Sequence, residues 1–208
     1  MRTGRGCRPA TYPSCWGRQS PRRRRRAIVD QVRTVVVVIG NPAIASRTGE
    51  AATLLGDRVA SMISAEVDVI EVAEYASALI SWGDPNVGAL KRRLISADAA
   101  IVATPTYKAS YTGLLKLFLD QFAAGELGGV PTIALMTGGS LAHSLAVQVH
   151  LVPVLSEIGA SSPTPGVYLY GAQLEDPGPH VEEWFDSYRD TLARSLVADH
   201  RRPLEGSP

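Results

Sequence analysis

Cysteine is almost missing from this chain of 208 residues: there are two, Cys7 and Cys15, and both fall within the first 33 residues. The part that reads as a folded domain has no thiol for a disulfide or a thiolate metal site. That usage fits a cytoplasmic setting. Long apolar runs are missing too, since the longest clean one, Val35 to Ile39, has strand length and falls far short of the roughly 18 residues of a membrane span. No membrane association is expected. There is no Gly-Lys-Ser/Thr phosphate loop and no Gly-x-Gly-x-x-Gly fingerprint. His143 and His150 have no carboxylate or cysteine at ligand spacing, so no metal is expected. Ser110 and Ser140 lack the strand–turn–helix elbow of a hydrolase nucleophile.

Charge is present but segregated. The net charge of +1 conceals a leader, residues 1–34, with ten arginines against the single acid Asp30; the remaining 11 bases and 19 acids leave the body at −8. Arg22 to Arg26 do not open a secretion signal, because Asp30 and Arg33 interrupt where about 7–15 apolar residues are needed. Residues 1–33, rich in Arg, Gly, Pro and Ser, read as a basic disordered extension. An arginine-rich arm can bind nucleic acid, but the expectation here is an inert tail and no nucleic-acid partner. Residues 34–200 read as one domain and 201–208 as a disordered tail.

What is there is an alternation of strands and helices. Thr34 to Ile39 is a β-branched run of the kind a strand buried on both faces requires, and Gly40 to Gly49 leads from it into a helix with Leu54, Leu55, Val59, Met62 and Ile63 on its stripe. Ser46 or Thr48 is the expected cap. A strand at Val67 to Val72 precedes an irregular segment with Tyr75 and Trp82. Asp84-Pro85 then starts a short helix ending near Ser96. Ala99 to Ala103 is the third strand, expected to stop at Thr104-Pro105 because proline has no N–H for a ladder. Leu114, Leu115, Leu117 and Phe118 begin the next helix. Val130 to Met136, Leu141 to Ile158, Gly166 to Tyr170 and Pro179 to Asp199 complete five strands and five helices. Pro153 inside the fourth helix removes the bond to Val149, which predicts a kink or π-bulge near His150. Strict alternation implies an α/β three-layer sandwich.

In such a sheet, ligands sit at the carboxyl ends of strands, and three exit loops carry the suitable residues. Asn41 to Thr48 offers the hydroxyls of Ser46 and Thr48, the fork of Arg47 and a helix N-terminus, all suited to phosphate. Thr104 to Tyr111 offers backbone polar groups and Tyr107, suited to the polar edge and flat face of an aromatic ligand. Thr137 to Ser140 brings two glycines that permit close backbone approach. Each segment also has a plain structural reading as a cap, a rim or a turn.

Taken together, Ala99 to Lys116 (AAIVATPTYKASYTGLLK) and Thr137 to Val147 (TGGSLAHSLAV) make the chain resemble the NADPH-dependent FMN reductase family of flavodoxin-like fold. It looks most like the reductases that supply reduced flavin to two-component alkanesulfonate monooxygenases. The resemblance covers Thr34 to Tyr170 and implies a five-stranded parallel sheet of order 2-1-3-4-5. It implies FMN and NADPH as cofactors, a monooxygenase partner, and a homodimer or homotetramer built through the helices after the third and fourth strands. Ser46, Arg47 and Thr48, with Asn41 beside them, correspond to the FMN phosphate site. Thr104, Pro105, Thr106 and Tyr107 correspond to the ring site, and Thr137, Gly138 and Gly139 to its other edge. The family's π-bulge falls at Val149, next to His150. Where such reductases commonly carry Gly-Ser-Pro-Arg, this chain has Gly40-Asn41-Pro42-Ala43, one hydroxyl and one arginine fewer. No catalytic acid or base is expected, since hydride chemistry belongs to the cofactor. A flavin-retaining quinone or azo reductase, and a non-catalytic flavodoxin-like electron carrier, are the alternatives.

Overall fold

The computed structural model describes residues 32–197; the expected basic leader up to Gln31 and the tail at 201–208 lie outside them. Five parallel strands form one sheet: β1 (Arg33–Ile39), β2 (Ala65–Glu71), β3 (Ala99–Pro105), β4 (Thr132–Gly138) and β5 (Val167–Tyr170). Their order is β2-β1-β3-β4-β5, the 2-1-3-4-5 arrangement implied by the resemblance.

Side chains alternate across the sheet and are swallowed on both faces. Val35, Val37 and Ile39 of β1, with Ile101 and Leu135, face α1 (Arg47–Ile63) and α6 (Gly178–Val197). Val36 and Val38, with Val102 and Met136, face three further helices and the segment that precedes the last of them. Those helices are α3 (Pro85–Ile95), α4 (Gly113–Leu119) and α5 (Val152–Glu157). The irregular stretch expected around Tyr75 contains a 3-10 turn, Val72–Tyr75, and one turn of helix, α2 (Ala76–Leu79). On α1 the buried line runs through Ala51, Ala52, Leu55 and Val59, whereas Leu54, expected on the stripe, is 37% exposed. One residue is 100° of helix rotation, which carries Leu54 off the core face.

Two strand boundaries differ from expectation. β3 does not stop before Thr104-Pro105, since Thr104 pairs with Met136 and Pro105 with Thr137. Successive residues of a strand address opposite neighbours. The Ala103 carbonyl accepts Gly40 N–H at 2.7 Å on the β1 side, and Thr106 N–H donates to the Thr137 carbonyl at 2.6 Å on the β4 side. The proline nitrogen therefore points toward β1, which has already ended at Ile39, and no ladder donor is lost. β4 is likewise displaced from Val130–Met136 to Thr132–Gly138, because pairing of Thr137 with Leu169 and Gly138 with Tyr170 keeps it extended. Thr104, Pro105, Thr137 and Gly138 are thus strand-end residues, not free loop.

The segment after β4 opens with a 3-10 turn, Leu141–His143, and runs through a π-helix, Val147–Leu151, into α5. The irregularity has the expected cause: Pro153 has no N–H for the Val149 carbonyl, and the ladder widens so that Val152 N–H bonds the Val147 carbonyl five residues back. Among the described residues no helix is long and apolar enough to cross a membrane.

Gly40 fixes how closely α4 approaches β1. A Cβ there would lie 2.5 Å from Leu115 Cβ, an atom anchored to helix backbone that cannot swing away. Gly40→Ala is expected to destabilise the fold by about 1–3 kcal/mol, the usual cost of overpacking a filled core, measured as a lowered urea midpoint with an unchanged slope.

Candidate active site

The three exit loops meet at the carboxyl edge of the sheet, joined by buried hydroxyls. Thr48 Oγ1 lies 2.7 Å from Thr137 Oγ1 and accepts from Asn41 Nδ2 at 3.3 Å, which ties the first loop to the third. Thr112 Oγ1 donates to the Gly40 carbonyl at 2.6 Å and accepts Leu115 N–H, while Thr112 N–H donates to Thr104 Oγ1 at 3.1 Å. That ties the second loop to the first. Each of these threonines is at most 3% exposed, so each bond replaces lost hydration and a missing partner would cost about 1–3 kcal/mol.

Between the loops lies a cleft of about 310 Å³ lined by seven of the residues expected from sequence: Arg47, Pro105, Thr106, Tyr107, Thr137, Gly138 and Gly139. Asn41, Ser46, Thr48 and Thr104 are not in its lining. Asn41, Thr48 and Thr104 are buried behind it, and Ser46 caps α1, its Oγ accepting Gly49 N–H at 3.1 Å. That bond uses a lone pair and leaves the hydroxyl proton to donate. Arg47 stands exposed at the first turn of α1, where the helix dipole and the guanidinium both favour an anion. Tyr107, 53% exposed, is presented by a two-residue turn: it exchanges backbone bonds with Ser110 at 2.8 and 3.1 Å, and Lys108 and Ala109 both take positive φ, 50° and 66°. That is the geometry of a type I′ turn made without glycine, a local strain of the kind found at binding loops. A groove of about 380 Å³ between α4 and α5 is larger and carries the charged side chains Lys116, Asp120 and Glu157, but it lies away from the strand ends where the three loops meet.

The cleft fits a flavin mononucleotide on three observations. Gly138 and Gly139 leave one wall without side chains. Thr106 Oγ1 is buried and has no hydrogen-bond partner, a donor awaiting a polar ring edge. Arg47 and the α1 N-terminus are suited to an anion such as a phosphate at one end.

Four participants escaped the sequence reading. Gly171 and Leu174, from the 3-10 turn after β5, complete the lining. Tyr168 props the third loop from behind: its hydroxyl donates to the Ser140 carbonyl at 2.9 Å, and it occupies the space a Gly138 side chain would need, 2.1 Å from an ideal Cβ. Glu71 ends β2 beside Ile39 with its Oε2 buried and unpartnered. Burial pushes its carboxyl above the ordinary value, the Ala45 backbone N–H opposes that shift, and nearby Glu74 adds to it. Apolar burial alternates along β5, while on β2 only Ile70 is buried; no local signal marks Tyr168 or Glu71.

A doubly wound parallel sheet with a cationic helix start, a side-chain-free wall and an orphaned donor at its carboxyl edge has the features of a flavin-binding protein of the flavodoxin-like class. A flavodoxin from Pseudomonas aeruginosa shares the fold at 17% identity, TM-score 0.54, over 76% of this chain and 98% of its own. The family model for NADPH-dependent FMN reductase matches residues 33–174, and the chain belongs to that family of oxidoreductases. It is similar to an FMN reductase (NADPH) of Pseudomonas putida, 31% identical over 84% of this chain and 92% of the relative. It is also similar to the NADH-dependent FMN reductase SfnF of Pseudomonas putida, 32% identical over 64% and 75%. Among solved structures, the apo form of the NADH:FMN oxidoreductase EMOB superposes with TM-score 0.72 at 30% identity, covering 81% of this chain and 92% of that one.

The Gly138–Tyr168 contact makes a coupled prediction. Gly138→Ala is expected to destabilise the protein by about 1–3 kcal/mol, and Tyr168→Phe, which by itself costs about 0.5–1.5 kcal/mol for the bond to Ser140, to recover part of that loss in the double variant by removing the hydroxyl that a Gly138 Cβ would meet. Urea unfolding of both single variants and the double variant measures the coupling; additive losses would contradict it.

Proposed function

We propose that the protein oxidises NADPH, reduces FMN in the cleft at the strand ends, and passes the reduced flavin to a flavin-dependent monooxygenase. The observation that carries this is the cleft itself, with Arg47 at one end, Thr106 Oγ1 unpartnered within, and Gly138 and Gly139 forming a bare wall. Bound FMN supplies the hydride acceptor. The chain's own part is positioning: Arg47, Ser46 and the N–H groups opening α1 hold the phosphate, Thr106 donates to the ring's polar edge, and Tyr107 offers a flat face at the mouth. Arg47 and Tyr107 are the only titratable side chains in that lining, which suits a role without acid–base steps by the protein. NADPH as the donor is supported by the family description and by relatives from Pseudomonas putida and Escherichia coli named for it, at 31% identity over 84% and 82% of this chain. The monooxygenase as recipient is supported by the resemblance of the second and third loops to reductases of two-component systems.

The test is oxidation of NADPH, followed at about 340 nm, the reduced nicotinamide band, by purified protein with added FMN. The expected outcome is turnover that rises with free FMN in a sequential pattern. Rates equal to a protein-free control would reject any reductase reading, and ping-pong kinetics on retained flavin would reject release. Arg47→Ala is expected to raise the KM for FMN about tenfold, roughly 1.4 kcal/mol, while leaving that for riboflavin within twofold.

We also propose assembly into dimers or tetramers through α4 and the segment after β4. Leu117, Leu141, Leu145 and Val149, all on those two segments, are exposed, apolar surface of the kind that association covers. Leu145→Glu is expected to shift the mass measured by light scattering toward that of one chain, with the circular dichroism spectrum unchanged.

A further inference from the structure

Glu71 stands where an anion-binding loop should not keep a negative charge. It is the last residue of β2, and its register partner is Ile39, the residue just before the first loop. Its Oε1 and Ser46 Oγ each lie 3.5 Å from the point where a Gly49 Cβ would be, so the two oxygens are separated by 7 Å at most. Its Oε2 is buried without a partner, and the backbone N–H of Ala45, a first-loop amide, is turned to the carboxylate. Ala45 reaches that position with φ 54°, a left-handed conformation that an alanine adopts only when its surroundings hold it there. No arginine or lysine is recorded as an ion-pair partner of Glu71 among the described residues.

We propose that Glu71 sets how weakly the flavin phosphate is held: its carboxylate engages a first-loop amide and repels the phosphate dianion, so that FMN exchanges as a substrate and is not retained. The proposal rests on the reading of the Ser46–Thr48 end as the phosphate end. Within that reading the physics is direct. A phosphate accepting from Ser46 Oγ would stand one hydrogen bond beyond that 7 Å, about 10 Å from the carboxylate at most; at little more than one Debye length, about 8 Å at physiological salt, two like charges are only partly screened, and the half-burial of Glu71 reduces screening further. The repulsion acts on the phosphate and spares the ring, so it separates FMN from riboflavin, which has the same ring and no phosphate. The missing Ser and Arg of the Gly40-Asn41-Pro42-Ala43 segment remove attraction from the same end; Glu71 adds the opposing charge.

The experiment is fluorescence titration of the full chain with FMN and, separately, with riboflavin, for wild type, Glu71→Gln, Glu71→Asp and Arg47→Ala. Glu71→Gln keeps the shape and an acceptor for Ala45 N–H while removing the charge. It is expected to lower the Kd for FMN about three- to tenfold, with riboflavin unchanged within twofold. Glu71→Asp, which keeps the charge, is expected to bind FMN within about twofold of wild type and controls for damage to the loop. An unchanged or raised Kd for FMN in Glu71→Gln, with its melting temperature at least that of wild type, overturns the proposal. So does equal tightening of FMN and riboflavin, which would assign the effect to the ring. If Arg47→Ala weakens FMN selectively while Glu71→Gln does not tighten it, the phosphate end stands and only the role of Glu71 falls. If Arg47→Ala affects FMN and riboflavin alike, the phosphate end falls and the proposal with it.

Discussion

The site depends on a constraint at the ends of three strands: backbone that leaves a doubly covered sheet must find new partners at once, without water. Val36, Val38, Ala100 and Val102 have no exposed surface, and the chain turns away only a few residues beyond them. Unpaired N–H or carbonyl groups there would each cost about 1–3 kcal/mol. Threonine answers that demand, because one hydroxyl can accept a loop amide and donate to a carbonyl on another strand. Thr112 does both, joining the Leu115 N–H to the Gly40 carbonyl, and Thr48 meets Thr137 across the first and third loops. The three loops are tied to each other because buried hydroxyls of one bond to groups of another.

That arrangement explains the division of labour among the site residues. Side chains committed to inter-loop bonds, Asn41, Thr48 and Thr104, sit behind the cleft, and those left over, Arg47, Thr106 and Tyr107, line it. The residue types are the same in both groups. Thr104, inside β3, accepts Thr112 N–H from the neighbouring loop, whereas Thr106, just past the end of β3, keeps its Oγ1 without a partner beside the cleft. Sequence supplies the hydroxyls; register at the strand end assigns their work.

Much of the architecture was legible for one physical reason: strands buried on both faces must be continuous apolar runs, and Thr34 to Ile39 and Ala99 to Ala103 are such runs. Asp84-Pro85 marked its helix start, and Pro153 marked the π-helix because a proline inside a helix has one backbone consequence wherever it occurs. The boundaries at Pro105 and Gly138 were not legible, since they depend on which neighbour has ended, a property of the sheet and not of the segment. Tyr168 and Glu71 were invisible for a related reason. Each lies on a strand with no local mark of function, and its significance arises from a loop distant in sequence, Gly138–Ser140 in one case and Ala45–Gly49 in the other.

The electrostatics of the first loop sharpen what a flavin reductase has to balance. A protein that keeps its flavin gains from every contact to phosphate and ring, whereas one that passes it on must hold the ring in register for hydride transfer while binding the whole molecule weakly. These demands fall on different ends of the ligand. The wall at Gly138 and Gly139 and the unpartnered Thr106 hydroxyl can orient the ring through shape and a single bond, which sets geometry more than affinity. On the proposed reading the phosphate end contributes affinity with little effect on where the ring lies, and it is the end beside which Glu71 places a half-buried carboxylate. Weakening the grip there leaves orientation intact, and a loop far from the reacting atoms can then tune exchange without touching the chemistry.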